Sequence, residues 1–123
     1  MNILLYIGSI IIILWGVAHL IPTKAIVRGF GAISEDNKKI LTMEVIAEGL
    51  TLIFVGVLPL LMTILVGFQE RAAYLVYLAC AVMLLVMAIL TAMTGARTPT
   101  IWYKICPAVK TIVAILFILG SLL

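Results

Sequence analysis

Residues 39–65 read KILTMEVIAEGLTLIFVGVLPLLMTIL, and this stretch decides the fold. It is long and apolar enough to cross a bilayer as one helix, yet it contains two carboxylates, Glu44 and Glu48. Because they are four residues apart, their side chains share one helix face. A charge deep in the hydrocarbon costs about 3 kcal/mol, so such residues face protein or a water-filled cavity. The stretch therefore predicts a membrane helix that is packed in a bundle and presents a polar site.

The composition of the whole chain is that of a membrane protein. Of its 123 residues, 66% are hydrophobic, and the mean hydropathy is +1.37, whereas about half the residues of a soluble domain are apolar. Apolar runs predict helices at about residues 3–21, 40–66, 72–94 and 107–123. The first run has neither a basic segment before it nor a cleavage site, so we expect a mature helix. The expected fold is all-α, a polytopic four-transmembrane-helix bundle that forms a single domain over residues 1–123.

Several residues shape the predicted helices. Ser34 is a suitable N-cap for the second helix, and Gly49 and Gly56 lie seven residues apart on one face of it. Pro59 predicts a bend in that helix, with room opening on the side of the first helix. Pro107 suits the first turn of the fourth helix.

Lysine and arginine are distributed unevenly between the connecting segments. Seven of them fall in or near the first and third connections, and only Arg71 falls in the second. The positive-inside rule then places residues 22–39 and 95–106 in the cytoplasm and both termini outside. We therefore expect a multi-pass protein of the cell inner (plasma) membrane.

Each predicted helix places one polar side chain about one turn inside its cytoplasmic end. Glu48 lies one turn deeper, level with Trp15. These side chains predict a polar cavity within the membrane, open to the cytoplasm, with proton exchange at Glu48 as a further hypothesis. The predicted ligand-binding residues are Trp15, His19, Glu44, Glu48, Thr91 and Lys110.

A second interpretation of the same residues is a charge-balanced structural network. In that network Lys110 pairs with Glu44, and His19 forms a hydrogen bond with Glu48. Lys110 is also close enough to the interface to extend its ammonium group out to water. The sequence leaves these interpretations open.

No metal site or cofactor is predicted. One histidine and two carboxylates can ligate zinc or iron, but the chain lacks the Glu-x-x-His pairs of di-iron bundles. Cys80 falls in mid-span and Cys106 at a helix entrance, so we expect two free thiols and neither a disulfide nor a Cys–His pair. Motifs for nucleophilic catalysis and for phosphate binding are also missing.

In length and helix number the chain resembles the small four-helix membrane proteins called DoxX-like. The segments that carry the resemblance are GVAHLIPT at residues 16–23 and EVIAEGL at residues 44–50. Most such proteins have no assigned activity, so the resemblance implies a fold and little about function.

Three classes of function stay open. The first and favoured class is binding or transport of a small polar, cationic or amphipathic ligand at Glu48. The second is an acid–base enzyme in which His19 and Glu48 act on a lipid-like or quinone-like substrate. The third is a structural or accessory subunit. The absence of a large domain favours a protein that is not an enzyme. The expected partners are the bilayer and a small ligand, with no nucleic acid, and self-association stays open.

Overall fold

The computed structural model of the protein describes residues 2–123, which are almost entirely helical and contain no strand. Four of the helices are long and apolar enough to cross a membrane. The predicted all-α, membrane-spanning four-helix bundle is thereby confirmed. The elements are α1 (Asn2–Leu20), α2 (Thr23–Arg28), α3 (Glu35–Leu61) with a π-helical continuation (Met62–Val66), α4 (Arg71–Met93), a 3-10 turn (Gly95–Arg97) and α5 (Ile101–Leu122).

The second membrane helix begins earlier than residue 40, the boundary predicted from its apolar run. The hydroxyl of Ser34 accepts a hydrogen bond from the Asn37 N–H at 3.1 Å, which confirms Ser34 as the N-cap of α3. Glu35 and Asp36 occupy the first turn, where the positive end of the helix dipole favours acids. This polar first turn extends the helix beyond the apolar segment.

The last helix begins at Ile101, so the predicted start at Pro107 is wrong. Proline removes one backbone hydrogen bond from a helix interior, but the residues before it are already helical here. The Thr111 hydroxyl donates to the Pro107 carbonyl oxygen at 2.7 Å, one turn further on. The connection between α4 and α5 is correspondingly shorter than the predicted segment 95–106.

Helices α1 and α5 are the inner pair of the packing order, because α1 contacts α3 and α5, and α5 contacts α1 and α4. Its contact with α3 is close: a Cβ atom at Gly16 would lie 2.8 Å from the Gly49 carbonyl oxygen. The prediction that α3 has room on the side of the first helix is therefore wrong. Pro59 is buried, and the helical conformation continues past it. The predicted bend at Pro59 stays a prediction.

Helices α3 and α4 have few contacts, so the bundle is incompletely closed between them. We call the end where α1 and α4 finish the inner end, and the opposite end the outer end. Near the outer end, the Thr63 hydroxyl and the Tyr77 hydroxyl lie 2.6 Å apart and are both buried. Towards the inner end the two helices leave a pocket between them.

Candidate ligand pocket and thiol cluster

The pocket between the inner halves of α3 and α4 has a volume of about 530 Å³, within the range of small-molecule sites. One side is polar and contains Glu44 and Glu48 of α3. The opposite side is more apolar: Met83, Met87 and Leu90 of α4 lie there, together with Thr91 and Thr94. Met83 and Met87 are one helical turn apart and share a face. We call this cavity the α3–α4 pocket.

Lys110 of α5 reaches the pocket from behind, and its side chain is 0% exposed. Its ammonium group donates to Glu48 Oε1 at 2.8 Å and to the Thr91 hydroxyl at 3.0 Å. That hydroxyl in turn donates to the Met87 carbonyl oxygen at 2.9 Å. An ammonium group has three donors, and these contacts use two of them.

The charges do not pair as the structural interpretation predicted. Lys110 binds Glu48 and not Glu44, and its ammonium group is buried in the bundle rather than extended to the interface. Glu44 lines the pocket and is exposed, and its carboxylate has no hydrogen bond or ion pair to any other described residue. Of the two carboxylates that line the α3–α4 pocket, Glu48 is therefore ion-paired and Glu44 is not.

A second polar group, which we call the thiol cluster, comprises Trp15, His19 and Cys106. The Trp15 indole N–H donates to Cys106 Sγ at 3.3 Å, and His19 Nε2 lies 3.8 Å from the same sulfur. His19 Nδ1 lies 2.9 Å from the Trp15 carbonyl oxygen. The predicted hydrogen bond between His19 and Glu48 is replaced by this contact with the backbone. The expected absence of a Cys–His pair is also wrong.

The six predicted site residues thus fall into two groups rather than lining one cavity. Glu44, Glu48, Thr91 and Lys110 line the α3–α4 pocket. Trp15 and His19 contact Cys106 instead. Glu48 connects the groups, because its carboxylate lies within 4.8 Å of the ligand atoms of His19 and Cys106.

Cys106 is the residue that sequence reasoning missed. Because α5 was predicted to begin at Pro107, this cysteine fell at a helix entrance. Because α5 begins at Ile101, Cys106 and Lys110 both lie within the helix, four residues apart on one face. That spacing was the available signal, since it directs the thiol and the ammonium group to the same side of α5. Both cysteines are free and buried.

Comparison with protein-family models, with curated proteins and with solved structures finds no match to this chain. The resemblance to DoxX-like proteins stays a prediction.

Proposed function

We propose that the protein binds an amphipathic ligand with a cationic or polar head group in the α3–α4 pocket. The observation that carries this proposal is the two-sided lining of the pocket. Carboxylates lie on one side of it, and Met83, Met87 and Leu90 lie on the other. A pocket with an apolar wall and a few placed polar groups suits a ligand that has a head and a tail. The flexible methionine side chains adapt to tails of different shape.

The charges of the pocket favour a cationic head group. Two carboxylates and one ammonium group line it, and the ammonium group is already paired with Glu48. Glu44 remains as the acid that a ligand cation would neutralise.

Access to the pocket is from the bilayer. Glu44 and Ala47 of α3 and Leu90 of α4 are exposed, and they flank the gap between the two helices. In a membrane, the exposed Ala47 and Leu90 contact lipid, so a tailed ligand enters sideways without leaving the hydrocarbon. We place this inner end at the cytoplasm. Lys110 is buried and no longer counts as a flanking charge, but six basic residues still lie at this end and Arg71 at the other.

Equilibrium binding in lipid nanodiscs tests the proposal, with dodecyltrimethylammonium as the probe and dodecyl sulfate as its anionic counterpart. We expect saturable binding of the cation and about tenfold weaker binding by the Glu44→Gln variant, since a charge-assisted contact contributes about 1.5–3 kcal/mol. The matched control is Glu70→Gln, which neutralises an exposed acid outside the pocket. Met87→Trp, which fills the apolar side, should abolish binding.

Equal binding of both surfactants, or equal affinity of the Glu44→Gln and Glu70→Gln variants, would show that the pocket does not select cations.

Transport of the ligand with proton exchange at Glu48 extends the proposal. The titratable groups near this carboxylate include Lys110, His19, Cys106 and Tyr103. Uptake of the labelled cation into proteoliposomes, with and without an imposed pH gradient, tests the extension. Uptake that ignores the gradient would remove proton coupling and leave the binding proposal intact.

A further inference from the structure

Three side chains with metal-binding atoms converge beside the α3–α4 pocket, and each comes from a different helix. They are His19 of α1, Glu48 of α3 and Cys106 of α5, and their ligand atoms all lie within 4.8 Å of one another. The sulfur and His19 Nε2 are 3.8 Å apart. Bonds of about 2.0–2.3 Å to a tetrahedral zinc ion separate neighbouring ligand atoms by about 3.3–3.8 Å. Small side-chain movements therefore bring the three atoms to zinc-binding distances.

The histidine is held in the orientation that a metal ligand needs. A carbonyl oxygen only accepts hydrogen bonds, so the contact of 2.9 Å with the Trp15 carbonyl places the proton of the neutral imidazole on Nδ1. The lone pair is then on Nε2, the atom that lies near Cys106 Sγ. In metal sites, a histidine ligand usually donates its other N–H to a carbonyl or a carboxylate in this way.

The other two ligand atoms, those of Cys106 and Glu48, also have hydrogen-bond partners. The Trp15 indole N–H donates to Cys106 Sγ at 3.3 Å, and such a bond stabilises a thiolate more than a thiol. Lys110 donates to Oε1 of Glu48 and leaves the second carboxylate oxygen for a metal. Each of the three ligand side chains is therefore oriented by a hydrogen bond before a metal ion binds.

The geometry points to a zinc site with Cys106 Sγ, His19 Nε2 and a carboxylate oxygen of Glu48 as ligands. A thiolate, an imidazole and a carboxylate are all common zinc ligands, and three protein ligands leave the fourth position to water or to another molecule. Binding of Zn²⁺ releases the thiol proton of Cys106 to the solvent. The thiolate and the carboxylate then place two negative charges beside the zinc ion and the ammonium group of Lys110. This site is distinct from the ligand pocket, although both use Glu48.

Titration of the metal-free protein in detergent with Co²⁺ tests the site. Tetrahedral cobalt bound to a thiolate has a sulfur-to-metal charge-transfer absorption, which a site without sulfur lacks. We expect one Co²⁺ per chain, displaced by Zn²⁺. Cys106→Ser should abolish the charge-transfer absorption. Cys80→Ser is the matched control, because it removes the other buried free cysteine and should leave the spectrum unchanged.

Trp15→Phe removes only the N–H donor to the sulfur, so it should weaken cobalt binding about tenfold and keep the absorption. Zinc X-ray absorption on the wild-type protein requires no variant and should show one sulfur ligand with nitrogen and oxygen ligands. A zinc ion without a sulfur ligand, or a charge-transfer absorption that persists in Cys106→Ser, would overturn the site. Glu44→Gln should leave metal binding unchanged, which separates this result from the test of the ligand pocket.

Discussion

The two neighbours of α3 pack against it in opposite ways. On the α1 side, glycines bring the helices together, and a Cβ atom at Gly56 would lie 2.9 Å from the Ser9 carbonyl oxygen. On the α4 side, contacts are few and the inner halves of the helices enclose a pocket. Small residues allow close approach in membranes, where helix association depends on packing contacts. The comparison indicates that α1 and α3 form a rigid unit and that the polar side chains lie in the gap between α3 and α4.

The α4 side of α3 is stabilised differently, because Lys110 of α5 binds the polar side chains on that side. Lys110 is wholly buried, whereas the side chain of Glu48 is 35% exposed. The ion pair and the Thr91 contact connect α5 to α3 and to α4 at the level of the pocket. The pocket is thus maintained by polar contacts where the α1–α3 interface is maintained by close packing.

The largest expected effect tests this polar anchoring. Glu48→Ala leaves the buried Lys110 without its counter-charge, so it should lower the free energy of unfolding in detergent by about 3–5 kcal/mol. Lys110→Met should cost less, because the exposed part of Glu48 remains in contact with solvent. The double variant should recover most of the loss, since it leaves no buried charge unpaired. Equilibrium denaturation of the three variants measures the coupling.

Additive losses in the double variant would show that the ion pair does not hold the pocket together. Glu48→Gln separates structure from function, because the amide keeps a hydrogen-bond acceptor for Lys110 and removes the negative charge. A Glu48→Gln protein that is destabilised, yet binds the cationic probe with unchanged pH dependence, would assign Glu48 a structural role only.

The next effect tests the close packing on the other side. Gly16→Leu should destabilise the protein by about 1–3 kcal/mol or prevent the native packing, since even a Cβ atom there would lie 2.8 Å from the Gly49 carbonyl oxygen. The matched control is Ala18→Leu, which adds bulk on an exposed position of the same helix. Thermal unfolding monitored by circular dichroism compares the two. Equal melting temperatures would contradict a tightly packed α1–α3 interface.

The same comparison explains how much the sequence could predict. Hydropathy, the Ser34 N-cap and the acids of the first turn are local signals, so the number of spans and the start of α3 are readable from the chain. The depth of Lys110 was misjudged together with the start of α5, but the axial spacing of Glu44 and Glu48 within α3 is readable, because the helical rise per residue is constant. These features depend on one helix at a time.

Features that depend on two helices were not readable. The direction in which Lys110 points follows from how α5 is rotated against α1 and α4, so its pairing with Glu48 rather than with the predicted Glu44 could not be read from single helices. The position of the gap was misjudged for the same kind of reason. Pro59 indicated a disturbance in α3. Gly16 and Gly49 instead bring α1 close to α3, and the few contacts between α3 and α4 leave the gap on the other side.

A smaller effect is expected at the outer end, where α3 and α4 are joined by the Thr63 and Tyr77 hydroxyls at 2.6 Å. Tyr77→Phe removes that bond and should lower the free energy of unfolding by about 1 kcal/mol. Thr63→Val should cost somewhat more, because it also removes the bond from the Thr63 hydroxyl to the Pro59 carbonyl oxygen at 2.8 Å. The double variant should cost little more than Thr63→Val alone. Strictly additive losses would show that the hydroxyl pair is not a unit. Measuring affinity for the cationic probe in the same variants shows whether the outer contact controls the width of the pocket.

The smallest expected effect lies within the α1–α3 interface. Ser9 is 0% exposed, and its hydroxyl has no hydrogen-bond partner among residues 2–123. A buried polar group without a partner costs free energy, while its methyl counterpart does not. Ser9→Ala should therefore leave the free energy of unfolding unchanged or raise it by up to about 1 kcal/mol. Ser9→Val is the companion variant and should be destabilising, because it adds bulk at the position where α1 approaches Gly56. A loss of more than about 1 kcal/mol in Ser9→Ala would show that the hydroxyl has a partner in the membrane-embedded protein, and that this interface is held by polar contacts as well as by close packing.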